Sequence, residues 1–486
     1  MVARLRERLG GFMFDKLHEE CGVFGIFTNE NSEVSRYAYT ALYALQHRGQ
    51  ESCGIAVNNS GIIDYKRGMG LVNEVFNKEN LEQLNGGKIA IGHVRYSTSK
   101  RDAHHKTLPL VVKHIKGPMA ISYNGSLVNA QELRDDYENK GAIFHTISGA
   151  EVVAYAVTEQ RLSCGSIEES LEAAMHKIKG AYSLTIMSPK KLVAARDPDG
   201  IRPLCLGVLP ENAGYVVASE SCALNAVGAD FLRDVEPGEI VVISDEGVKS
   251  IKSHCGRAGS LCVFEYIYFA RPDSVIEGVS VHEARLRAGE FLAEEHPVDA
   301  DVVIGVPDSG LDAALGYAKR SGIPYGIGLI KNRYVGRTFI QPVQETREST
   351  VKIKLSAMSA VIKDKRIIVI DDSIVRGTTM RIIIKILREA GAKEVHIRLS
   401  SPPFKHPCFF GTDIDSRKIL IANQKTLEEI REEIGADSLG YLSIENVEKV
   451  AKGAKCGFCS GCFSGKYPME VPDELPKDKF DLRLNS

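Results

Sequence analysis

The sequence predicts a two-domain chain of mixed class: a strand-rich α+β sandwich, then an α/β domain built on a parallel sheet. Three observations lead there. The 486 residues exceed what one hydrophobic core serves. Up to about residue 250, short β-rich runs outnumber helical stretches. Beyond it, strand, turn and helix alternate, the pattern of a parallel sheet. Gly256 and Gly259 mark a linker between the two halves.

The totals describe a globular protein. Apolar content is 44% and charged content 26%. A formal net charge of -2 gives no electrostatic case for a nucleic-acid or membrane-surface partner. No apolar run reaches membrane-spanning length. Arg4, Arg6 and Arg8 are not followed by the apolar core of a secretory signal. A cytoplasmic location follows, and the odd count of eleven cysteines then argues against disulfides.

In the first half, residues 1–20 read as a leader and CGVFGIF, from Cys21, as a strand. A helix is expected over Tyr37 to Leu45, followed by QHRGQES at Gln46 to Ser52 and a strand from Cys53 to Val57. IAIGHVRYST and MAISYNGSLVN are two further strands ending in polar turns. Residues 150–178 are helical, and five β-rich runs continue to about residue 250. Many strands with few helices predict a sandwich covered by helices.

In the second half, DVVIGVPDSG is a strand and small turn, and LDAALGYAKRSGI a helix. KRIIVIDDSIVRGTTM repeats the unit. Ile367 to Ile370 form a β-branched run of the kind buried in parallel sheets. Asp371 and Asp372 stand at its C-terminal end, where ligands bind in such sheets. Ser373 to Thr379, including Arg376, Gly377 and Thr378, make a polar turn feeding a helix N-terminus, which offers backbone N–H groups to a phosphate. The paired carboxylates suit sugar hydroxyls or a hard cation.

This stretch resembles the phosphoribosyl pyrophosphate (PRPP) loop of type I phosphoribosyltransferases. The resemblance implies that Asp371 and Asp372 contact the ribose hydroxyls and that the Ser373, Arg376, Gly377, Thr378, Thr379 turn holds the 5′-phosphate. VPDSG resembles that family's pyrophosphate loop, so Asp308, Ser309 and Gly310 are expected at pyrophosphate, with Ser309, Asp371 and Asp372 at Mg²⁺. KNRYVGRTFIQP resembles a loop that closes over PRPP, with Lys331, Arg333 and Arg337 neutralising pyrophosphate charge.

A lone cysteine opening a strand is commonly a small core residue. Cys21, however, resembles the N-terminal nucleophile of class II glutamine amidotransferases, which have an αββα sandwich fold. The likeness implies removal of residues 1–20, so that the free amino group of Cys21 serves as base for its own thiol. Asn124 and Gly125 in YNGSL match the oxyanion hole, and Arg95 in GHVRYST matches the arginine that binds the glutamine carboxylate. QHRGQES, RDPDGIRPL and ASESCAL match further motifs. The pattern departs at Gly149 and Ala150, where Asp-Thr is usual, at Ser99-Lys100 and at Leu108-Pro109-Leu110. The absent aspartate would pair with the glutamine ammonium.

CGFCSGC at Cys456 to Cys462 is two overlapping C-x-x-C units, open by itself to zinc, iron–sulfur or redox chemistry. From Cys21 to Pro468 the chain is similar to the iron–sulfur-bearing glutamine PRPP amidotransferases. That similarity implies a [4Fe–4S] cluster on Cys262, Cys408, Cys459 and Cys462, with Cys456 off the pattern.

The division implied is residues 1–20 leader, 21–250 glutaminase, 251–468 phosphoribosyltransferase with the cluster segment, and 469–486 tail. The implied activity is that of an amidophosphoribosyltransferase, opening de novo purine synthesis with phosphoribosylamine. Also implied are a homotetramer and feedback inhibition by purine nucleotides. Two alternatives stand beside it: an ammonia-dependent or other-donor phosphoribosyltransferase with an impaired glutaminase domain, and a non-catalytic PRPP-binding regulator.

Overall fold

The computed structural model describes residues 21–84, 86–96, 107–146, 148–332, 354–412, 414 and 416–472. Arg333, Arg337, Ser99, Lys100, the residue 1–20 leader and most of the tail lie outside the described residues.

The first half is a four-layer αββα sandwich. One sheet has seven antiparallel strands in the order Asp230–Asp234, Cys205–Val208, Gly214–Ala218, Cys21–Ser32, Gly87–Arg95, Ser52–Asn59, Ile62–Met69. The second has six in the order Gly247–Ile251, Ile240–Ser244, Leu192–Arg196, Gly180–Met187, Gly117–Leu127, Leu110–His114. Alternate residues of each strand face opposite sides. Val23, Phe27, Ile91, Ala120, Met187 and Ala194 thus fill the layer between the sheets. On the outer faces, helix Val34–Ala44 covers the first sheet through Ala38, Ala41 and Leu42. Helices Gly149–Arg161 and Ile167–Met175 cover the second.

The second half is a four-stranded parallel sheet in the order Val302–Gly305, Arg366–Asp371, Glu394–Leu399, Ser438–Tyr441. The central strand shows why its run is apolar throughout. Ile368 and Ile370 pack under helices Val281–Glu295 and Gly310–Ser321, while Ile367 and Val369 pack under helix Thr378–Glu389. That last helix buries Met380, Ile383, Ile384 and Leu387, one stripe at helical spacing.

Two features stand at the start of the second half, where the Ser260 and Cys262 N–H groups donate to the Asp199 and Ile201 carbonyls of the first. Ser260–Cys262 pairs in parallel with Gly457–Cys459, tying the C-terminal segment to the start of the second half. Directly after it, Glu265–Phe269 forms one turn of π-helix, whose carbonyl oxygens at Tyr266, Tyr268 and Ala270 accept from the Arg285 guanidinium. The fourth parallel strand, this small sheet and the π-turn are absent from the sequence-based expectation.

Candidate active sites

The expected site residues fall into two groups, one in each half. In the second half, the turn after Val302–Gly305 and the turn after Arg366–Asp371 stand side by side at the C-terminal ends of neighbouring parallel strands. They are packed without slack: a Cβ on Gly310 would lie 2.3 Å from the Ile370 carbonyl oxygen. The Ser309 hydroxyl donates to Asp372 Oδ1 at 2.5 Å, joining the two turns, and the Ser373 hydroxyl donates to Asp372 Oδ2 at 2.7 Å. Asp371 and Asp372 are both buried. Gly377 caps helix Thr378–Glu389 with a φ of +81°, a conformation glycine adopts without penalty. The first N–H groups of that helix therefore point into the turn that starts at Ser373. Lys331, at the end of strand Leu329–Lys331, is half-exposed and bridges to Asp308 at 2.7 Å. The expected site residues Asp308 to Gly310, Lys331 and Asp371 to Thr379 thus share one strand-end face. Their oxygen donors, two carboxylates and a hydroxyl, are the chemistry Mg²⁺ takes.

In the first half, Cys21 is buried at the start of its strand and is in register with Arg95, which is also in register with Ser52. The strand carrying Asn124 lies against the Cys21 strand across the sandwich. Asn124 is fully buried, and neither its amide nitrogen nor its oxygen has a hydrogen-bond partner among the described residues. Buried polar side chains are seldom left so, and those that are mark places where something else binds. Gly125 follows with a φ of +136° and no room for a side chain, since a Cβ would meet the Ala181 oxygen at 2.1 Å. The His93 ring lies beside this pair, its Nε2 2.9 Å from the Tyr123 oxygen. A carbonyl only accepts, so Nε2 carries the proton. Burial outweighs that bond and drives the His93 pKa down to about 3, leaving the ring neutral.

Gly149 opens helix Gly149–Arg161, and its missing side chain leaves space that Tyr123 uses: a Cβ there would stand 3.2 Å from the Tyr123 hydroxyl. Glu151 is buried and accepts from the N–H groups of His145 and Thr146 and from the Thr146 hydroxyl. It ties down the segment leading into the helix.

At the joint, Cys262, Cys408, Cys459 and Cys462 line one cavity with Ile201, Arg202, Phe264, Phe404, Phe410, Thr412 and Tyr467. Cys262 and Cys459 are register neighbours in the small parallel sheet. Burial raises the Cys462 thiol, and Cys408, Cys262 and Cys459 raise it further by mutual repulsion. Burial pushes Cys459 up to about 12, against a downward pull from Arg202. Among the described residues no three donors converge on a point as a single ion would need. Four thiols around an apolar cavity, with one guanidinium beside them, do fit a cubane, in which each iron takes its own thiolate. Cys456 is not in the cavity lining; its neighbours are Arg196, Glu277 and Asp234.

Comparison with known proteins agrees with this division. A glutamine amidotransferase domain model matches residues 93–226, and a phosphoribosyl transferase domain model matches residues 279–400. The amidophosphoribosyltransferase of Bacillus subtilis is 48% identical over 460 residues, 94% of this chain and 95% of that protein. That of Archaeoglobus fulgidus is 48% identical over 456 residues, 93% and 99% of the two chains.

The chain belongs to the amidophosphoribosyltransferase family.

It is a glutamine amidotransferase and pentosyltransferase, and its reaction is the first step of purine biosynthesis. A solved allosteric regulatory enzyme of purine biosynthesis superposes with a TM-score of 0.88 at 47% identity, covering 94% of this chain and 98% of its own. The Bacillus subtilis glutamine PRPP amidotransferase solved with ADP and GMP superposes with a TM-score of 0.86 at 48% identity, covering 94% and 99%. Among the described residues no helix is long and apolar enough to cross a membrane.

Sequence reasoning missed three residues that the structure makes prominent. Arg48, Arg202 and Glu265 are all buried ion-pair partners where the halves meet. Arg48 stands in QHRGQES and Arg202 in RDPDGIRPL, so motif membership was the available signal. Nothing in the local sequence marks Glu265.

Proposed function

We propose that Cys21 attacks the carboxamide carbon of glutamine, that ammonia departs, and that water releases glutamate from the thioester. Arg95 holds the glutamine carboxylate with two parallel hydrogen bonds. The Asn124 side chain and the Gly125 N–H stabilise the oxyanion, and the buried, unpartnered Asn124 amide is the observation that carries this half of the reading. The base is the Cys21 amino group, freed by cleavage after Glu20. The domain limits proposed are 21–250 and 251–468, flanked by the leader at 1–20 and the tail at 469–486.

Ammonia then displaces pyrophosphate from C1 of PRPP to give phosphoribosylamine. Asp371 and Asp372 orient the ribose hydroxyls. Ser373, Arg376, Gly377, Thr378 and Thr379 hold the 5′-phosphate on the helix N-terminus. Asp308, Ser309 and Gly310 receive the pyrophosphate, and Lys331, Arg333 and Arg337 neutralise its charge. The hydrogen bond from Ser309 to Asp372 supports one shared site for both ends of PRPP. Ser309, Asp371 and Asp372 would hold Mg²⁺, which spreads the charge of the leaving pyrophosphate. Cys262, Cys408, Cys459 and Cys462 would hold a [4Fe–4S] cluster whose role is to fasten the C-terminal segment. A cytoplasmic homotetramer inhibited by purine nucleotides completes the reading; the nucleotide-bound Bacillus subtilis relative supports the last point.

The test compares nitrogen donors. Purified protein is expected to release pyrophosphate with glutamine at sub-millimolar concentration, and Cys21→Ala to do so only with ammonium salt. A Cys21→Ala variant with full glutamine-driven turnover would refute the nucleophile. One observation favours a second reading. Tyr123 fills the space beside Gly149, where a carboxylate would pair with the glutamine ammonium. A chain adapted to free ammonia would use ammonium salt well and glutamine poorly. Intact mass decides whether Cys21 carries the free amino group on which the glutaminase depends.

A further inference from the structure

Where the two halves meet lies a buried charge cluster that neither reaction accounts for. Arg48, in the first half, is 1% exposed and Glu265, in the second, 0%. Arg48 Nη2 donates to both Glu265 oxygens at 2.8 Å, and Nη1 to Glu265 Oε2 at 3.0 Å and to Glu220 Oε1 at 2.8 Å. Arg202 stands 3.5 Å from Glu265 Oε1 and donates to the Phe410 carbonyl. Glu220 is held in turn by His47, the Ser274 hydroxyl and the Arg271 N–H. Two arginines face two glutamates, so these four charges balance, and removing one leaves an uncompensated charge in a dry place.

The cluster touches the glutaminase machinery through backbone contacts. The Arg48 stem lies against Gly22, the residue after Cys21: a Cβ on Gly22 would be 3.4 Å from Arg48 Cδ. The next residue, Gly49, packs so tightly on the Arg95 strand that a Cβ would meet the Arg95 nitrogen at 2.3 Å. The Glu51 N–H donates to the Arg95 carbonyl. The Gln46 to Glu51 loop therefore sits on the two backbone positions that carry the nucleophile and the carboxylate-binding arginine. Arg48 is a charged anchor of this loop into the other half, and the Arg48 fork closes on Glu265.

We propose that Glu265, a residue of the phosphoribosyltransferase half, is a positioning residue for glutamine hydrolysis, acting through Arg48 to hold Cys21 and Arg95 in place. It touches no substrate. It heads the π-turn Glu265–Phe269, which Arg285 secures from helix Val281–Glu295. The glutaminase site is thereby braced by the neighbouring half rather than by its own sheet alone. This rests on Cys21 as the nucleophile.

The experiment measures glutamate release and ammonium-driven pyrophosphate release side by side for wild type, Glu265→Gln, Glu265→Asp and Arg48→Lys. A displacement of about 1 Å at a reacting group costs on the order of 10²-fold. Glu265→Gln is expected to lose about that much glutaminase kcat/KM while ammonium-driven turnover stays within about threefold. Glu265→Asp keeps the charge and is expected to recover part of the loss. Arg48→Lys keeps the charge but loses the fork, and is expected to show the same selective defect; it serves the test should Glu265→Gln fail to fold. Equal loss of both activities in a folded variant, or no loss of either, overturns the role of Glu265. A wild type that releases no glutamate overturns the reading of Cys21 instead.

Discussion

Replacing Asn124 by alanine separates catalysis from folding. The amide is fully buried and has no partner among the described residues, so its removal breaks no described internal hydrogen bond. Burying an unpaired amide costs about 1–3 kcal/mol, which the substitution recovers. The lost packing of three heavy atoms costs a similar amount. The two offset, and the melting temperature is expected to stay within about 3 °C of wild type. Glutamine hydrolysis is different. If the amide donates to the oxyanion, its loss removes about 2.7–4 kcal/mol of transition-state stabilisation, or 10²- to 10³-fold in kcat. The assay is glutamate release at saturating glutamine, paired with ammonium-driven pyrophosphate release and thermal unfolding on the same preparation. Expected is a loss confined to glutamate release. A glutaminase within threefold of wild type, or a fall in Tm above 6 °C with both activities lost together, would refute the reasoning.

Other outcomes follow from the same geometry. Gly310→Ala puts a Cβ 2.3 Å from the Ile370 oxygen, so the two turns must part; PRPP-dependent activity with ammonium should fall about 10²-fold, and unaltered kinetics would refute the packing. The folded pKa of His93 lies near 3, below its unfolded value near 6.5. The unfolded chain therefore binds the extra proton between those values, and stability falls as pH drops through that window, by about 1.4 kcal/mol per unit from this group. Urea midpoints at pH 7 and 4.5 should converge in His93→Gln; an unchanged slope counts against it. Cys462→Ala should abolish bound iron while Cys456→Ala retains it, because Cys462 lines the cavity and Cys456 does not; iron analysis of anaerobically purified protein checks both.

Local chemistry was legible in the sequence wherever a short segment carries its own reason. The β-branched run before Asp371, the turn at Gly377 and the stripe of helix Thr378–Glu389 each declare their structure within a few residues. The sandwich was legible as a density of strands, but its order was not, since strand pairing such as Cys21 with Arg95 is a long-range choice. Strand Ser438–Tyr441 was missed because SLGY is too short for a periodicity. Ser260–Cys262 and Gly457–Cys459 escape for the same reason, and because each takes its strand partner from a distant part of the chain. The π-turn at Glu265–Phe269 reads as a plain apolar run; what sets it is Arg285, sixteen positions beyond the last residue of that turn. The unpartnered state of Asn124 and the filling of the Gly149 space by Tyr123 are facts about neighbours brought together by the fold, so no reading of the motif alone reaches them.

The pairing of Ser260–Cys262 with Gly457–Cys459 has a consequence for synthesis on the ribosome. The first half can complete both its sheets once residue 251 has emerged, and the parallel sheet of the second half is complete at Tyr441. The cysteine cavity needs Cys459 and Cys462, so it closes only when almost the whole chain has been made. Until then Cys262 waits through some two hundred residues of translation without its strand partner. Assembly therefore ends at the joint, and a chain that stops before residue 457 lacks the partner of strand Ser260–Cys262 and two of the cavity's four cysteines.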